Sequence, residues 1–256
     1  MSNGVRSTVD SIYRYPVKGL TPEKMDSVTL APGETLPFDR AFAIENGPGR
    51  FDPANPRHLP KITFLMLMRD ERLATLDARF DDATLTLTIF RAGKQVARGD
   101  LGTRLGRTMI EQFMAAYMKD SLRGAPKIVS APNHSFSDVA MKCLHIVNLA
   151  SVRDLERSVG QPINHLRFRA NLYIDGVEPW AELGWLGRQL AIGDARLEVV
   201  ARTQRCDATN VDPGTAARDM ALPAVLQRTW GHADFGIYAK VDAGGAIAPA
   251  DHIHLV

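Results

Sequence analysis

The sequence predicts a β-rich α+β fold, and three observations carry that reading. Short runs of strict apolar–polar alternation recur towards both ends of the chain, helical periodicity lies between them, and Gly and Pro punctuate the joins. The 256 residues suffice for one large domain or two modest ones, and 45% hydrophobic content supplies a packed core. The formal net charge of +2 is spread among acidic residues instead of being gathered into a basic stripe, which argues against nucleic acid as a partner. Residues 1–10 contain no apolar leader core, and no segment approaches the roughly 18 apolar residues of a membrane span. A soluble, cytoplasmic chain with no membrane partner is the expectation.

Residues 7–15 and 25–30 alternate like half-buried strands punctuated by Pro16, Gly19, Pro22, Pro32 and Gly33, and residues 40–44 are a further strand candidate. A loop dense in Gly and Pro covers 46–60, long enough to suspect a role. The pattern over 62–80 is mixed. Residues 64–68 read as a buried strand, whereas Leu73, Leu76 and Phe80 keep helical spacing and favour a helix after Asp70. Residues 84–89 alternate strictly, Gly93 turns the chain, and 95–98 pair back as a hairpin. The longest helix is predicted over 105–122, its stripe formed by Met109, Phe113, Ala116 and Tyr117 and its end marked by Gly124 and Pro126. That end divides the chain into 1–122 and 123–256. A second helix opens at Ser151 with Asp154 in the capping-box position and stops at Gly160. Later strands are predicted at 171–175, 189–192, 196–201, 236–241 and 253–255.

Chemistry concentrates at Cys206, which follows the alternating run 195–201 and sits where a strand opens into a turn. Arg202 and Arg205 favour thiolate over thiol, the form that attacks electrophiles or binds soft metals; an inert buried thiol is the competing reading. Only one other cysteine is present, Cys143, within an apolar run that reads as core, so no disulfide framework exists. Dinucleotide, Walker and nucleophile-elbow motifs are missing. His252 and His254 share one face of the last strand and would need a third ligand to hold a metal.

The order of motifs around Cys206 adds a family. Tyr15-Pro16-Val17-Lys18-Gly19, Phe38-Asp39-Arg40 and the stretch from Arg57 to Pro60 and Lys61 lie in the first half. In the second half come Phe136-Ser137-Asp138, the run from Asn148 through Ser151 to Leu155, Arg167-Phe168-Arg169-Ala170-Asn171, Leu190 to Asp194, Arg205-Cys206 through Val211-Asp212-Pro213, and Phe235-Gly236 to Tyr238. This ordered set resembles the MOSC family, named for the C-terminal domain of molybdenum cofactor sulfurase, and within it the amidoxime-reducing members with an N-terminal β-barrel. The resemblance implies an N-terminal barrel-like unit packed on a MOSC-type β-barrel with peripheral helices, and a cofactor crevice between the two.

It further implies a molybdenum cofactor whose metal is ligated by Cys206, the catalytic centre. Lys18, Arg40, Arg57, Ser137, Asp138, Arg169, Asn171, Arg205 and Thr209 stand at the implied cofactor-binding positions. Thiolate suits such a metal, and arginine suits the pterin phosphate because its fork binds two oxygens at once. Asn171 can equally cap a strand, and Arg57 can equally order its loop. The implied activity is reduction of N-hydroxylated or related N-oxygenated small molecules. With no iron–sulfur, flavin or haem motif in the chain, electrons come from a partner protein, a reductase or ferredoxin-like carrier. A non-redox cofactor or persulfide carrier, and a metal-free binding module, use the same fold. Four residues depart from the family pattern: Val139 and Ala140 replace small hydroxyl residues, Leu183 replaces an acid expected near the crevice mouth, and Ala250 replaces a turn glycine.

Overall fold

The structure, a computed structural model, describes residues 7–47 and 49–256. Residues 1–6, on which the leader reading rests in part, and Pro48 of the long loop lie outside the described residues.

Strands β1 (Ser7–Arg14), β2 (Glu23–Met25), β3 (Val28–Leu30) and β4 (Ala43–Glu45) open the chain. A meander β5 (Leu76–Asp81), β6 (Thr86–Arg91) and β7 (Lys94–Asp100) then leads into helix α1 (Arg104–Tyr117) and β8 (Lys127–Val129), which pairs with β4. Leu65, Leu76, Phe80, Leu87, Ile89, Ile110 and Met114 form the core of this N-terminal unit. The hairpin turn at Ala92 and Gly93 has positive φ at both residues, 48° and 74°, the geometry that matches strand twist.

The second half supplies β9 (Leu144–Asn148), α2 (Leu149–Val159), β10 (Leu172–Asp175), β11 (Gln189–Ile192), β12 (Ala195–Gln204), α3 (Leu222–Trp230), β13 (Asp234–Ala243), β14 (Gly245–Ile247) and β15 (His252–Leu255). Seven strands close into a barrel in the order β10-β9-β13-β12-β11-β15-β1, and β1 completes the ring by pairing with β10 from Thr8↔Asp175 to Ile12↔Leu172. Closure leaves no exposed edge, so the first strand of the chain is a stave of the barrel built by the last third. The β9–β10 pair is parallel, and α2 is its crossover. Val9, Ile12, Ile146, Ile174, Leu197, Val199 and Ile237 fill the interior, while α2 and α3 cover the outside through Leu155, Leu222 and Leu226, in one cluster with Phe168 and Phe235.

Two features mark the strands that lead to the site. The pairing of β12 with β13 shifts register between Arg196 and Leu197, between Val199 and Ala201, and between Arg202 and Gln204, and bulges of this kind increase local bend and twist. At Gly236, with φ +80°, a Cβ would lie 2.5 Å from the Ile146 carbonyl oxygen and 2.8 Å from His145 Nε2, so only glycine lets β13 run this close to β9.

The structure corrects four sequence expectations. After Asp70 there is only a 3₁₀ turn (Glu71–Thr75), and residues 76–81 form β5: Leu76, Ala78 and Phe80 point inward while Asp77, Arg79 and Asp81 are exposed, so the period is 2. Residues 64–68 are buried or nearly so without forming a regular strand. Helix α2 begins one turn earlier than expected because Asn148, whose side chain accepts from Ala150 N at 2.9 Å, is its cap; Ser151 and Asp154 lie inside the helix. Helix α1 ends at Tyr117 and buries Gly106, Ile110, Met114 and Tyr117, which leaves Met109 exposed. Ala250 holds the left-handed backbone, φ 72°, at the turn where glycine was expected.

Candidate functional site

Between the N-terminal unit and the barrel lies a crevice of about 340 Å³, within the range of small-molecule sites. Lys18, Arg40, Lys61 and residues 66–68 line it from the first half of the chain. Ser137, Asp138, Met141, His145, Arg169, Arg205 and Cys206 line it from the second.

Cys206 stands just beyond β12, in extended conformation (φ −124°, ψ 174°), heading a 3₁₀ turn (Asp207–Asn210). Thr209 Oγ1 donates to the Cys206 carbonyl at 3.0 Å, and Arg205 N donates to Ala233 O at 2.8 Å, so backbone bonds on both sides fix the residue. Its side chain makes no capping bond. The thiol is partly exposed, whereas Cys143 is buried and desolvation pushes its pKa up to about 12.

The crevice is cationic. Lys18, Arg40, Lys61, Arg169, Arg202 and Arg205 line it against the carboxylates of Asp39 and Asp138 alone, so the site suits an anion. The Arg40 and Arg169 guanidiniums lie 4.3 and 4.2 Å from the ring centroid of Tyr15, and both residues adopt left-handed φ of 51°. Non-Gly residues rarely take that conformation, and such outliers collect at binding sites. Arg40 is further held by Asp39 Oδ2 at 2.6 Å and Arg169 O at 2.9 Å. Arg169 has its pKa pushed down to about 10, first by desolvation and further by Arg40. Lys18 is buried beside Phe136 O at 2.8 Å and bonded to Asp138; desolvation lowers its pKa against the pull of that carboxylate. Desolvation raises the Asp138 carboxyl, but Lys18, Lys61 and Arg40 overcome it and keep Asp138 ionised. Burial lowers the Lys61 pKa, and Asp138 at 3.6 Å together with Cys206 more than offsets it.

Arg205 donates to Phe168 O at 2.8 Å and lies 3.4 Å from His145 Nε2, while its own Nε is buried without a protein partner. His145 Nε2 lies equally far, 3.4 Å, from the Phe235 carbonyl oxygen, so it accepts from Arg205 with the ring proton on Nδ1 or donates to Phe235 O with the proton on Nε2. Desolvation, reinforced by Arg205 and Arg40, holds His145 well below its ordinary pKa, so it is neutral. Arg202, expected beside the thiol, instead donates Nε to Leu183 O at 2.9 Å.

The crevice therefore gathers Cys206, Lys18, Arg40, Ser137, Asp138, Arg169, Asn171 and Arg205. Asn171 has its amide occupied by His145 N at 3.0 Å and Tyr13 O at 3.2 Å, a strand-linking role. Thr209 is fully buried and shapes the cysteine turn from behind. Arg57, expected either at the cofactor or ordering its loop, is exposed in the long loop and is not among the residues that line the crevice. Leu183 belongs to the barrel core, so the position is no part of the mouth. Sequence reasoning missed Tyr15, Lys61 and His145. Tyr15 and Lys61 belong to motifs already noticed, but nothing in the sequence says that Lys61 faces the crevice or that the buried Tyr15 ring carries Arg40 and Arg169.

Among the described residues no group of three or more His, Cys, Asp or Glu side chains can hold a metal ion, and no third such residue joins His252 and His254. A metal here would need most of its ligands from a bound molecule.

Two family models divide the chain in the same way. The MOSC N-terminal beta barrel domain family matches residues 6–121 and the MOSC domain family matches residues 131–254. The chain is 28% identical to mitochondrial amidoxime-reducing component 1 of Homo sapiens, across 97% of this chain and 83% of that protein. It is 38% identical to molybdenum cofactor sulfurase of Drosophila mojavensis across 36% of this chain, which spans 12% of that larger protein. Among solved structures, the YUAD protein of Bacillus subtilis aligns over 100% of this chain and 98% of its own, at 13% identity and a TM-score of 0.46.

Proposed function

The chain belongs to the MOSC family, with an N-terminal MOSC β-barrel domain ahead of the MOSC domain, and on that premise we propose that it is a molybdenum-cofactor-binding oxidoreductase. Its proposed substrates are N-hydroxylated or related N-oxygenated small molecules, and its electrons come from a separate protein. One observation carries the reading: a partly exposed thiol, Cys206, opens onto a crevice whose cations exceed its carboxylates. Those residues fit the group. Arg205 Nε is buried with no protein partner, and Arg169 is a strongly desolvated cation, the complement that an anionic pterin phosphate would satisfy.

When bound, the cofactor supplies a soft metal centre for two-electron chemistry at the Cys206 sulfur. Arg40, Arg169, Arg205 and Lys18 would hold its anionic part. Lys61, whose pKa burial lowers but Asp138 and then Cys206 raise overall, places a cation beside the sulfur. Asp138 remains ionised and acts as a fixed acceptor for the N–H or O–H groups of a substrate. His145, neutral and buried, orients Arg205 and supplies no proton at neutral pH. The net change is balanced: the N–O bond takes two electrons and two protons, leaving N–H and water. Two cysteines are too few for an iron–sulfur cluster within this chain, which is why the electron donor is placed on a partner.

Purified cofactor-loaded protein should turn over benzamidoxime many times with reduced methyl viologen as donor. A single turnover per chain would favour a carrier, and none at all would remove the reductase reading.

A further inference from the structure

The run of residues 64–68, rich in Leu and Met and lying mostly outside regular structure, is a site feature that the proposed chemistry leaves unused. Phe64 and Leu65 point into the cores, Met66 and Met68 line the crevice, Leu67 belongs to both the N-terminal core and the lining, and Met141, Val139 and Ala208 line it from the second half of the chain. The crevice thus has an apolar part rich in thioethers, side chains whose polarisable sulfur and loose rotamers fit aromatic faces.

One side chain ties this segment to the turn that follows the thiol. Arg218 Nη2 donates to Leu67 O at 2.9 Å and to Met68 O at 2.7 Å, its Nε donates to Glu71 Oε2 at 3.1 Å, and its Nη1 donates to Asp207 O at 3.1 Å. Asp207 directly follows Cys206. Arg218 itself lies outside the crevice lining. A planar fork with five fixed donors is suited to this multidentate clamp, and the single ammonium of lysine is not.

We propose that Arg218 is a positioning residue that holds the wall formed by Met66, Leu67 and Met68 at a fixed distance from the Cys206 turn, and that this wall makes the site selective for N-oxygenated substrates bearing an apolar aromatic group. The selectivity half of the proposal rests on the reductase reading above; the clamp does not.

Two readouts on R218A separate them. The first is oxidation of methionines by dilute hydrogen peroxide, followed by mass spectrometry, with Met109 (49% exposed) as internal standard and Met66 (5% exposed) as reporter. Loss of the clamp should raise the Met66 rate relative to Met109 about fivefold or more, with R218K intermediate, because exposure governs thioether oxidation. The second is steady-state kinetics on the cofactor-loaded protein. The KM for benzamidoxime should rise about tenfold while that for acetamidoxime rises less than about threefold, at equal molybdenum per chain, as expected for loss of binding to the aromatic group alone.

An unchanged Met66 rate would overturn the clamp. Equal loss on both substrates would overturn the selectivity. Wild-type protein inactive on both amidoximes would overturn the reductase reading and the selectivity with it, while a raised Met66 rate would still establish the clamp. If R218A does not fold, R218K carries the Met66 readout, and M68Q, which keeps the backbone carbonyl that Arg218 holds but alters the wall, carries the kinetic one.

Discussion

Replacing Arg169 with Met should make the cofactor-free protein more stable and the cofactor-loaded protein harder to assemble. Desolvation brings the pKa of the Arg169 guanidinium down from the ordinary arginine range to about 10, and at about 1.4 kcal/mol per pK unit, keeping it charged costs the empty fold about 3 kcal/mol. The sign follows from linkage. Folded and unfolded chains are both protonated at pH 7, so the penalty is fully present there and fades only as pH rises above about 10. Methionine keeps the length and removes the charge. It forfeits the contact with Tyr15 at 4.2 Å, worth about 1 kcal/mol. The net gain is about 2 kcal/mol, or a rise in Tm of about 5 °C for a chain of this size. The same change deletes one charge-assisted bond to the cofactor, which should weaken retention by about 10- to 100-fold. Scanning calorimetry of protein made in a host unable to synthesise the pterin reads the first effect. Fluorescence of the released, oxidised pterin from a competent host reads the second. A lower Tm for the empty variant, or unchanged pterin content, would refute the view that Arg169 is a cation held in waiting for an anion.

Two more outcomes follow from the packing around the crevice. Gly236→Ala should destabilise the fold by about 3 kcal/mol or more, since a methyl group cannot stand 2.5 Å from the Ile146 oxygen at φ +80°; a loss under 1 kcal/mol in urea titration would show that β13 can move aside. His145 has its folded pKa depressed, mainly by desolvation, so the unfolded chain takes up a proton that the folded chain refuses. Its stabilising effect is complete above the usual histidine range and is lost as pH falls below it, by about 1.4 kcal/mol per pH unit. H145Q keeps an acceptor without titrating and should flatten the stability profile between about pH 6 and 5; parallel profiles would contradict the assignment. Burial also lowers His134 and His165, and these cancel in the comparison.

How legible all this was in the sequence depends on the range of the interaction involved. Strands with strict alternation, such as β1, β6 and β11, appear within a few residues of their expected bounds, because a one-sided core imposes period 2 locally. Residues 71–81 misled because Leu73, Leu76 and Phe80 fit a helical period by accident, and the deciding fact, pairing with β6, is a tertiary one. Nothing local announces that β1 closes a barrel with β10, more than half the chain away. At the site, Cys206, Arg40 and Arg169 were legible as members of motifs. The pairing of both guanidiniums on Tyr15, the approach of Lys61 and the retreat of Arg202 to Leu183 depend on side-chain geometry that motif order does not encode. Arg57 shows the converse, since a motif position without a crevice contact stays in solvent.

The central claim is that the Cys206 sulfur binds a metal carried by an anionic organic cofactor. Molybdenum per chain, measured by elemental analysis beside releasable pterin in wild type and C206S from a molybdenum-competent host, tests it most directly. The account predicts both in the wild type and a marked loss of molybdenum in C206S, because a hydroxyl is a poor ligand for a soft metal. Equal molybdenum in the two proteins, or none in either, would contradict it.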